Sequence, residues 1–316
     1  MAIDYQPVFI IGSPRSGTTL LGDILDLHPE IGRWYEPYFV LDHDFRRAPH
    51  DRRTAQDATP QVSAYLQRAF AQYAHGRRCR IVVDKSPRNS LKVPFLLAVF
   101  RQAKFIHITR DGRDTTLSIR QQWQQRQRVA QKRFPGAALS TLVGPQPLWR
   151  HKFQAVWFEI GGNPLNVLTG RDLLHRTRWD GRPGWGPQFV GWQEAIAAVS
   201  PLQFCAMQWE RCVDSILQDK SLIASSQWHE LRYEDFLGQP QQHLQAIFDF
   251  LQVSFPADFM RQMPVLKATN FDKWRTAFSD KEKRQIGPIL APLLIQLGYS
   301  QDHAWYLQSQ TKATTS

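Results

Sequence analysis

A chain of 316 residues with 42% hydrophobic content and 11 Trp has enough apolar material for a substantial core, as one large α/β domain or two smaller ones, which excludes a disordered protein. Its 39 basic against 28 acidic residues give a net charge of +11, favouring an anionic partner such as a nucleotide, an acidic polymer or a nucleic acid. Cys79, Cys205 and Cys212 are odd in number and widely spaced, so neither a disulfide framework nor a zinc site is indicated and a reducing cytoplasm is expected; with no signal-like N-terminus and no run near the ~20 apolar residues of a membrane span, a soluble, unprocessed chain is expected.

Residues 8–11, VFII, have the apolar, β-branched and aromatic character of a buried strand, broken into a loop by Gly12, Pro14 and Gly17. Leu20, Leu21, Ile24, Leu25 and Leu27 then follow helical spacing, with Thr18 and Thr19 in the first turn. A Gly-rich loop that ends on a helix N-terminus points unpaired N–H groups and the positive end of the helix dipole at an anion. Against the phosphate-loop pattern G-x-x-x-x-G-K-[ST], Gly12, Gly17 and Thr19 fit, but Thr18 stands at the lysine position and Arg15 is the loop's cation. Phosphate binding is therefore expected and hydrolysis of a magnesium nucleotide is not.

Residues 31–40, IGRWYEPYFV, read as an aromatic segment returning toward the loop and carrying the carboxylate Glu36; residues 42–60 read as a surface loop and 62–74 as a helix. Residues 80–87, RIVVDKSP, form a second predicted strand with a polar turn that brings Lys85 toward the first loop, since parallel strands present ligands at their carboxyl ends. A helix over 91–100 precedes a third strand, 104–109, which runs into RDGRD; Thr115, Thr116 and Ser118 follow, where hydroxyls and arginines can hold a second phosphate. Residues 121–135 read as a solvated helix or basic rim, and 136–192 as an irregular, Trp-rich insertion. Helical spacing over 193–217, interrupted near Pro201, a strand over 228–233, an amphipathic helix over 239–251, a turn over 265–274 with Lys267 and Lys273, and a helix through 289–297 complete the chain.

Taken together, these motifs resemble the sulfotransferase superfamily that uses 3′-phosphoadenosine 5′-phosphosulfate (PAPS), and within it the tyrosylprotein sulfotransferase-like branch. That branch's phosphosulfate loop PRSGTTLL stands at residues 14–21, its strand-end Lys matches Lys85 in DKSP, and its Arg and Ser for the 3′-phosphate match Arg110 and Ser118 in TRDGRDTTLS. Its RYE segment stands at 232–234, and its acidic base, 21 residues after the loop arginine, falls on Glu36. Two departures are visible: a single acid, in Tyr35-Glu36-Pro37, where the branch often has two, and Gln122 where it has a further Arg, with Arg120 nearby. The Golgi membrane anchor of the animal enzymes is not matched.

The resemblance implies an α/β fold in a single domain over 1–316, with a central parallel sheet flanked by helices, P-loop-like topology, and a helical or irregular Trp-rich insertion over 121–200 beside the acceptor. It implies sulfuryl transfer from PAPS, as co-substrate and without a metal, to a hydroxyl of a phenol, tyrosine-like or carbohydrate acceptor, possible carriers being a peptide, a polysaccharide or a small molecule, with no nucleic-acid or membrane partner. The implied catalytic residues are Glu36 as base, Arg15 and Lys85. PAPS would be held by Pro14, Arg15, Ser16, Gly17, Thr18, Thr19, Arg110 and Ser118. Tyr233 either stacks on adenine or packs in the core, and Lys267 and Lys273 compete for a loop closing over the nucleotide. Rival bases are His28, His43 and His107, none at a matching motif position. Rival functions are a P-loop-type nucleotide kinase or NTPase and a basic, non-enzymatic anion-binding protein.

Overall fold

A computed structural model describes residues 5–45, 48–131, 185–267 and 271–307, with 126–131 as backbone only. Five strands form one sheet: β1 (Gln6–Ile11), β2 (Ile31–Tyr35), β3 (Ile81–Lys85), β4 (Lys104–Thr109) and β5 (Trp228–Arg232). Their order is β2-β3-β1-β4-β5 and every pairing is parallel, so the expected central parallel sheet is present. From β1 the chain moves outward to β2, returns to β3, and then crosses to β4 and β5. The order therefore reverses around β1, and that is where parallel sheets open a crevice at their carboxyl ends.

Alternation along the strands makes two different cores. Val8 and Ile10 of β1, Ile81 and Val83 of β3, and Ile106 and Ile108 of β4 bury together with Leu21 and Ile24 of helix α1 (Thr18–Leu25). Phe9 packs instead against Phe70, Phe100 and Phe105, with ring centres 5.6 to 5.9 Å apart. Phe70 belongs to α2 (Pro60–Arg77), which starts at Thr59, whose side chain accepts the Val62 N–H, with Pro60 in the first turn. The other principal helices are α3 (Val93–Val99), α4 (Gly112–Gln131), α5 (Pro201–Asp219), α6 (Pro240–Leu251) and α7 (Asp280–Gln296). Pro201, read from sequence as an interruption, opens α5 behind a Ser200–Gln203 capping box, after the short helix Trp192–Ala198.

Two expectations change. Residues 31–35 are an edge strand, paired with β3 from Ile31↔Ile81 to Tyr35↔Lys85, and not a mere connecting segment. Side chains cover part of the free edge: Asp26 accepts the Arg33 N–H at 2.8 Å and the Tyr73 hydroxyl donates to the Arg33 carbonyl at 2.5 Å. The stretch 42–60 is not simply a surface loop either. Asp51 is buried and exchanges two hydrogen bonds of 2.7 Å with the Gln188 backbone, and the buried Arg53 donates its N–H to the Leu91 carbonyl.

The chain forms two compact units. One comprises 1–36, 50–119 and 187–316 and holds the sheet. The other comprises 37–49 and 120–186; its described residues include the short helix Tyr38–Leu41 and the hydrogen bond from Trp123 Nε1 to the Trp185 carbonyl. Most of the Trp-rich insertion, residues 132–184 with Trp149, Trp157 and Trp179, lies outside the described residues.

Candidate active site

The loop between β1 and α1 is held from below by a side chain. Ser90, in the tight turn Pro87–Leu91 that follows β3, donates its hydroxyl proton to the Gly12 carbonyl at 2.8 Å and accepts the Gly12 N–H at 3.1 Å. Inside the loop the Ser16 hydroxyl and N–H both reach the Ser13 carbonyl. Gly17 caps α1 at φ 99°, where a Cβ would lie 2.4 Å from the Tyr233 ring, so the loop and that ring leave no room for a side chain. Pro14, Ser16 and Thr18 are buried, whereas Arg15 and Thr19 are exposed. Arg15 adopts φ 70°, a left-handed conformation that L-residues rarely hold away from helix ends.

Beside this loop, β2 and β3 end together. The Lys85 side chain is 2% exposed, and its Nζ donates to Glu36 Oε1 at 2.5 Å while standing 4.7 Å from the centre of the Tyr35 ring. Glu36, at φ 43°, keeps 24% of its side chain open. Asp84, on the opposite face of β3, is fully buried and accepts from Asn89 Nδ2 at 2.8 Å; burial pushes its carboxyl up to about 7. Asn89 and Ser90 share one turn, so the strand that carries Lys85 also anchors the Gly-rich loop.

The carboxyl end of β4 supplies the other wall. Arg110 donates from Nη1 to the Arg15 carbonyl at 3.1 Å, lies 4.5 Å over the Tyr233 ring, and its own carbonyl accepts from Trp209 Nε1. Arg15 Nε in turn donates to Ser118 Oγ at 3.0 Å. Although Arg15 reaches solvent, partial desolvation of its guanidinium, and next the positive charge of Arg110, lower its pKa, which an anion beside the two arginines would reverse. Thr115 and Thr116 are fully buried, so of the three hydroxyls expected near a second phosphate only Ser118 stands partly open.

The start of α4 is fastened by the two acids of RDGRD. Asp111 caps the helix by accepting the Arg113 N–H at 2.8 Å and pairs with the Arg113 guanidinium at 2.6 Å, while its own N–H donates to Glu234 Oε1. Gly112 lies under the Trp209 ring, which a Cβ would approach to 2.8 Å. The RYE segment is thereby used largely for construction. Tyr233 is wedged between Gly17 and Arg110, Arg232 hydrogen bonds the Leu297 carbonyl, and Glu234 also accepts the Tyr299 hydroxyl at 3.1 Å.

Asp114 reaches further along the chain, accepting the N–H groups of Asp272 and Trp274 at 2.5 and 2.9 Å. The exposed Lys273 stands between them, whereas Lys267, also exposed, precedes residues 268–270, which lie outside the described residues. The three rival histidines have other partners: His28 bonds the Ser254 carbonyl, His43 pairs with Asp44, and His107 is buried in the sheet beside Trp228. Ser90, Asp111 and Asp114 are the residues the motifs do not single out. Asp111 and Asp114 lie within RDGRD, but their partners Glu234, Asp272 and Trp274 come from segments more than 100 residues away. Among the described residues no cluster of His, Cys, Asp or Glu is placed to hold a metal ion, and no helix is long and apolar enough to cross a membrane.

A parallel sheet whose central strand ends in a Gly-rich, arginine-bearing loop, flanked by a strand-end Lys and a strand-end Arg, defines an anion-handling α/β protein. The family model described as Sulfotransferase family matches residues 7–157 and 187–257, well over half of the chain, and the chain belongs to that family. It is 23% identical over 245 residues to protein-tyrosine sulfotransferase 1 of Danio rerio, an alignment covering 71% of this chain and 66% of that protein. It is 26% identical over 318 residues to the omega-hydroxy-beta-dihydromenaquinone-9 sulfotransferase Stf3 of Mycobacterium tuberculosis, covering 83% and 66%. The chain spans two thirds or less of the length of these and other curated relatives. Among solved structures, the sulfotransferase domain from the curacin biosynthetic pathway shares the fold, with a TM-score of 0.54 over 94% of this chain and 98% of that one at 17% identity.

Proposed function

We propose that this chain transfers a sulfuryl group from PAPS to a hydroxyl acceptor by in-line displacement. The observation that carries this reading is the Lys85–Glu36 pair, 2.5 Å across, at strand ends beside a loop whose arginine is tied to Arg110 and Ser118. In this reading the backbone of Pro14–Thr19, through Ser16, Gly17, Thr18 and Thr19, holds the 5′-phosphosulfate, with Arg15 facing charge on the bridging oxygen as it leaves. Arg110 and Ser118 hold the 3′-phosphate, the group that separates PAPS from ATP. Tyr233 supports Arg110 and Gly17 from the core side, the packing alternative, because its ring is 5% exposed and occupied by both.

Glu36 accepts the acceptor's hydroxyl proton as the new sulfur–oxygen bond forms and the bond to the bridging phosphate oxygen breaks, releasing 3′-phosphoadenosine 5′-phosphate (PAP) and a sulfate ester. Lys85 holds the Glu36 carboxylate in place and puts a positive charge beside the transferring group. The relatives named for protein tyrosine and for a hydroxylated menaquinone share a hydroxyl acceptor, which supports that class for this chain, whether carried by a peptide, a saccharide or a small molecule. The three buried, unbridged thiols support a cytoplasmic setting.

The test pairs binding with turnover. PAP should raise the melting temperature more than ADP does, and labelled sulfate should pass from PAPS to one of a panel of peptide, sugar and phenol acceptors. Magnesium-dependent preference for ADP, or ATP consumption in place of sulfate transfer, overturns the reading.

A further inference from the structure

We propose that Asp114 is a positioning residue that seats Lys273 against the 3′-phosphate end of the nucleotide; the inference rests on the PAPS reading above. The geometry is specific. Each oxygen of one carboxylate takes one N–H, Oδ2 from Asp272 and Oδ1 from Trp274, so the backbone is pinned on both sides of Lys273 by a residue 158 to 160 positions earlier. Trp274 is held a second time by the neighbouring Arg113, whose guanidinium lies 4.1 Å over its ring. Asp272 is kept at φ 60°. Among the five non-glycine residues with positive φ in the described chain, Arg78 and Gln252 end helices, while the other three are Arg15, Glu36 and Asp272. The backbone departs from ordinary conformations outside helix ends at the loop arginine, at the proposed base and in this turn.

The location follows from the helix. Asp114 precedes Ser118 by four residues in α4, on the same face, and Ser118 is the hydroxyl bound to Arg15, whose carbonyl holds Arg110. An open carboxylate at this point would repel a phosphate. Asp114 is 2% exposed and its negative charge is turned onto two backbone N–H groups, so it can fix the turn without facing the ligand. The turn so fixed carries the exposed Lys273, and on this ground the late lysine is assigned to Lys273, as a third cation for the phosphate of Arg110 and Ser118, in preference to Lys267, whose neighbouring backbone has no such anchor among the described residues.

Calorimetric titration with PAP and with ADP, which lacks the 3′-phosphate, tests this on wild type, D114N, K273A and the double variant. D114N keeps one accepting oxygen and sets an NH2 against the second N–H. The expected result is PAP binding weakened roughly tenfold in each single variant, with the double variant no weaker than either. ADP affinity should hold, and with PAPS KM should rise while kcat at saturation is kept. A purely structural role would weaken ADP and PAP alike and make the two substitutions additive; that outcome, or unchanged PAP affinity in D114N, overturns the proposal. If wild type does not prefer PAP to ADP, the nucleotide reading falls and this inference with it, whereas an intact wild-type preference with an indifferent D114N removes only the role of Asp114. Should D114N not fold, amide hydrogen exchange on the wild-type protein decides: the Asp272 and Trp274 amides should be protected, and more so with PAP, and unprotected exchange in both states refutes it.

Discussion

Lys85 and Glu36, 49 residues apart in the chain, meet at 2.5 Å because β2 and β3 are neighbours with Tyr35 opposite Lys85. The register leaves Glu36 one residue past the end of β2, in a left-handed conformation that turns its carboxylate back over the Lys85 ammonium. A carboxylate held in this way has its position set before an acceptor arrives, which is what a general base needs.

Replacing it by its isostere separates position from chemistry. Glu36→Gln keeps a side chain of the same shape, so the fold and PAP affinity should be retained while sulfate transfer falls by about 10²–10⁴-fold. Steady-state turnover alongside PAP titration checks this, and undiminished kcat removes Glu36 as the base.

The two arginines should fail in different ways. On the proposed reading, Arg110→Ala removes a charged partner of the 3′-phosphate and should weaken PAP by about 1.5–3 kcal/mol, whereas Arg15→Ala, proposed to act on charge that develops during transfer, should lower kcat by about 10²-fold or more with less effect on binding. Calorimetry with PAP and kinetics with PAPS distinguish them. PAP affinity unaltered in Arg110→Ala rules out the 3′-phosphate assignment.

Ser90 is expected to matter for stability as well as activity. Ser90→Ala leaves the Gly12 N–H and carbonyl without their side-chain partner inside the protein, at a cost of about 1–3 kcal/mol. Chemical denaturation should show the loss, together with weaker binding of any phosphate-bearing ligand. A substitution neutral in both would mean that the loop holds its shape without the β3 turn.

His107 sets a pH dependence of known sign. Burial lowers its pKa to about 4, Glu230 and Lys220 acting in opposite directions as lesser causes, so between that value and 6.5 the unfolded chain binds a proton that the folded chain does not. This group therefore removes stability as pH falls from 6.5 toward 4. The raised carboxyl of Asp84 acts oppositely, removing stability as pH rises from about 4 to about 7. His107→Phe fits the apolar, aromatic surroundings beside Trp228, and urea unfolding at several pH values should show its advantage over wild type growing on acidification through that window. A constant difference between the two proteins contradicts the assignment.

Much of the fold is legible in the order of residues. VFII, RIVV and KFIHIT carry the apolar and β-branched side chains of strands buried on both faces, and each runs into Gly, Pro or charged residues at its carboxyl end. IGRWY does not announce itself as a strand, because Gly32 and Arg33 interrupt its apolar pattern; Asp26 and Tyr73 help to complete it by bonding the Arg33 backbone. Nor does the stretch 42–60 look buried, since its Asp51 and Arg53 become interior residues only through Gln188 and Leu91.

The sequence by itself determined the Gly-rich loop with its Arg15, the positions of Lys85 and Arg110 at strand ends and of Ser118 in the early turns of a helix, and the family to which the chain belongs, because these depend on local conformation and on short motifs. Tertiary structure alone decided that Glu36 meets Lys85, that Ser90 clasps Gly12 across 78 residues, and that Asp114 holds the turn of Lys273. Those contacts depend on strand order and register, which arise from the joint packing of both faces of the sheet.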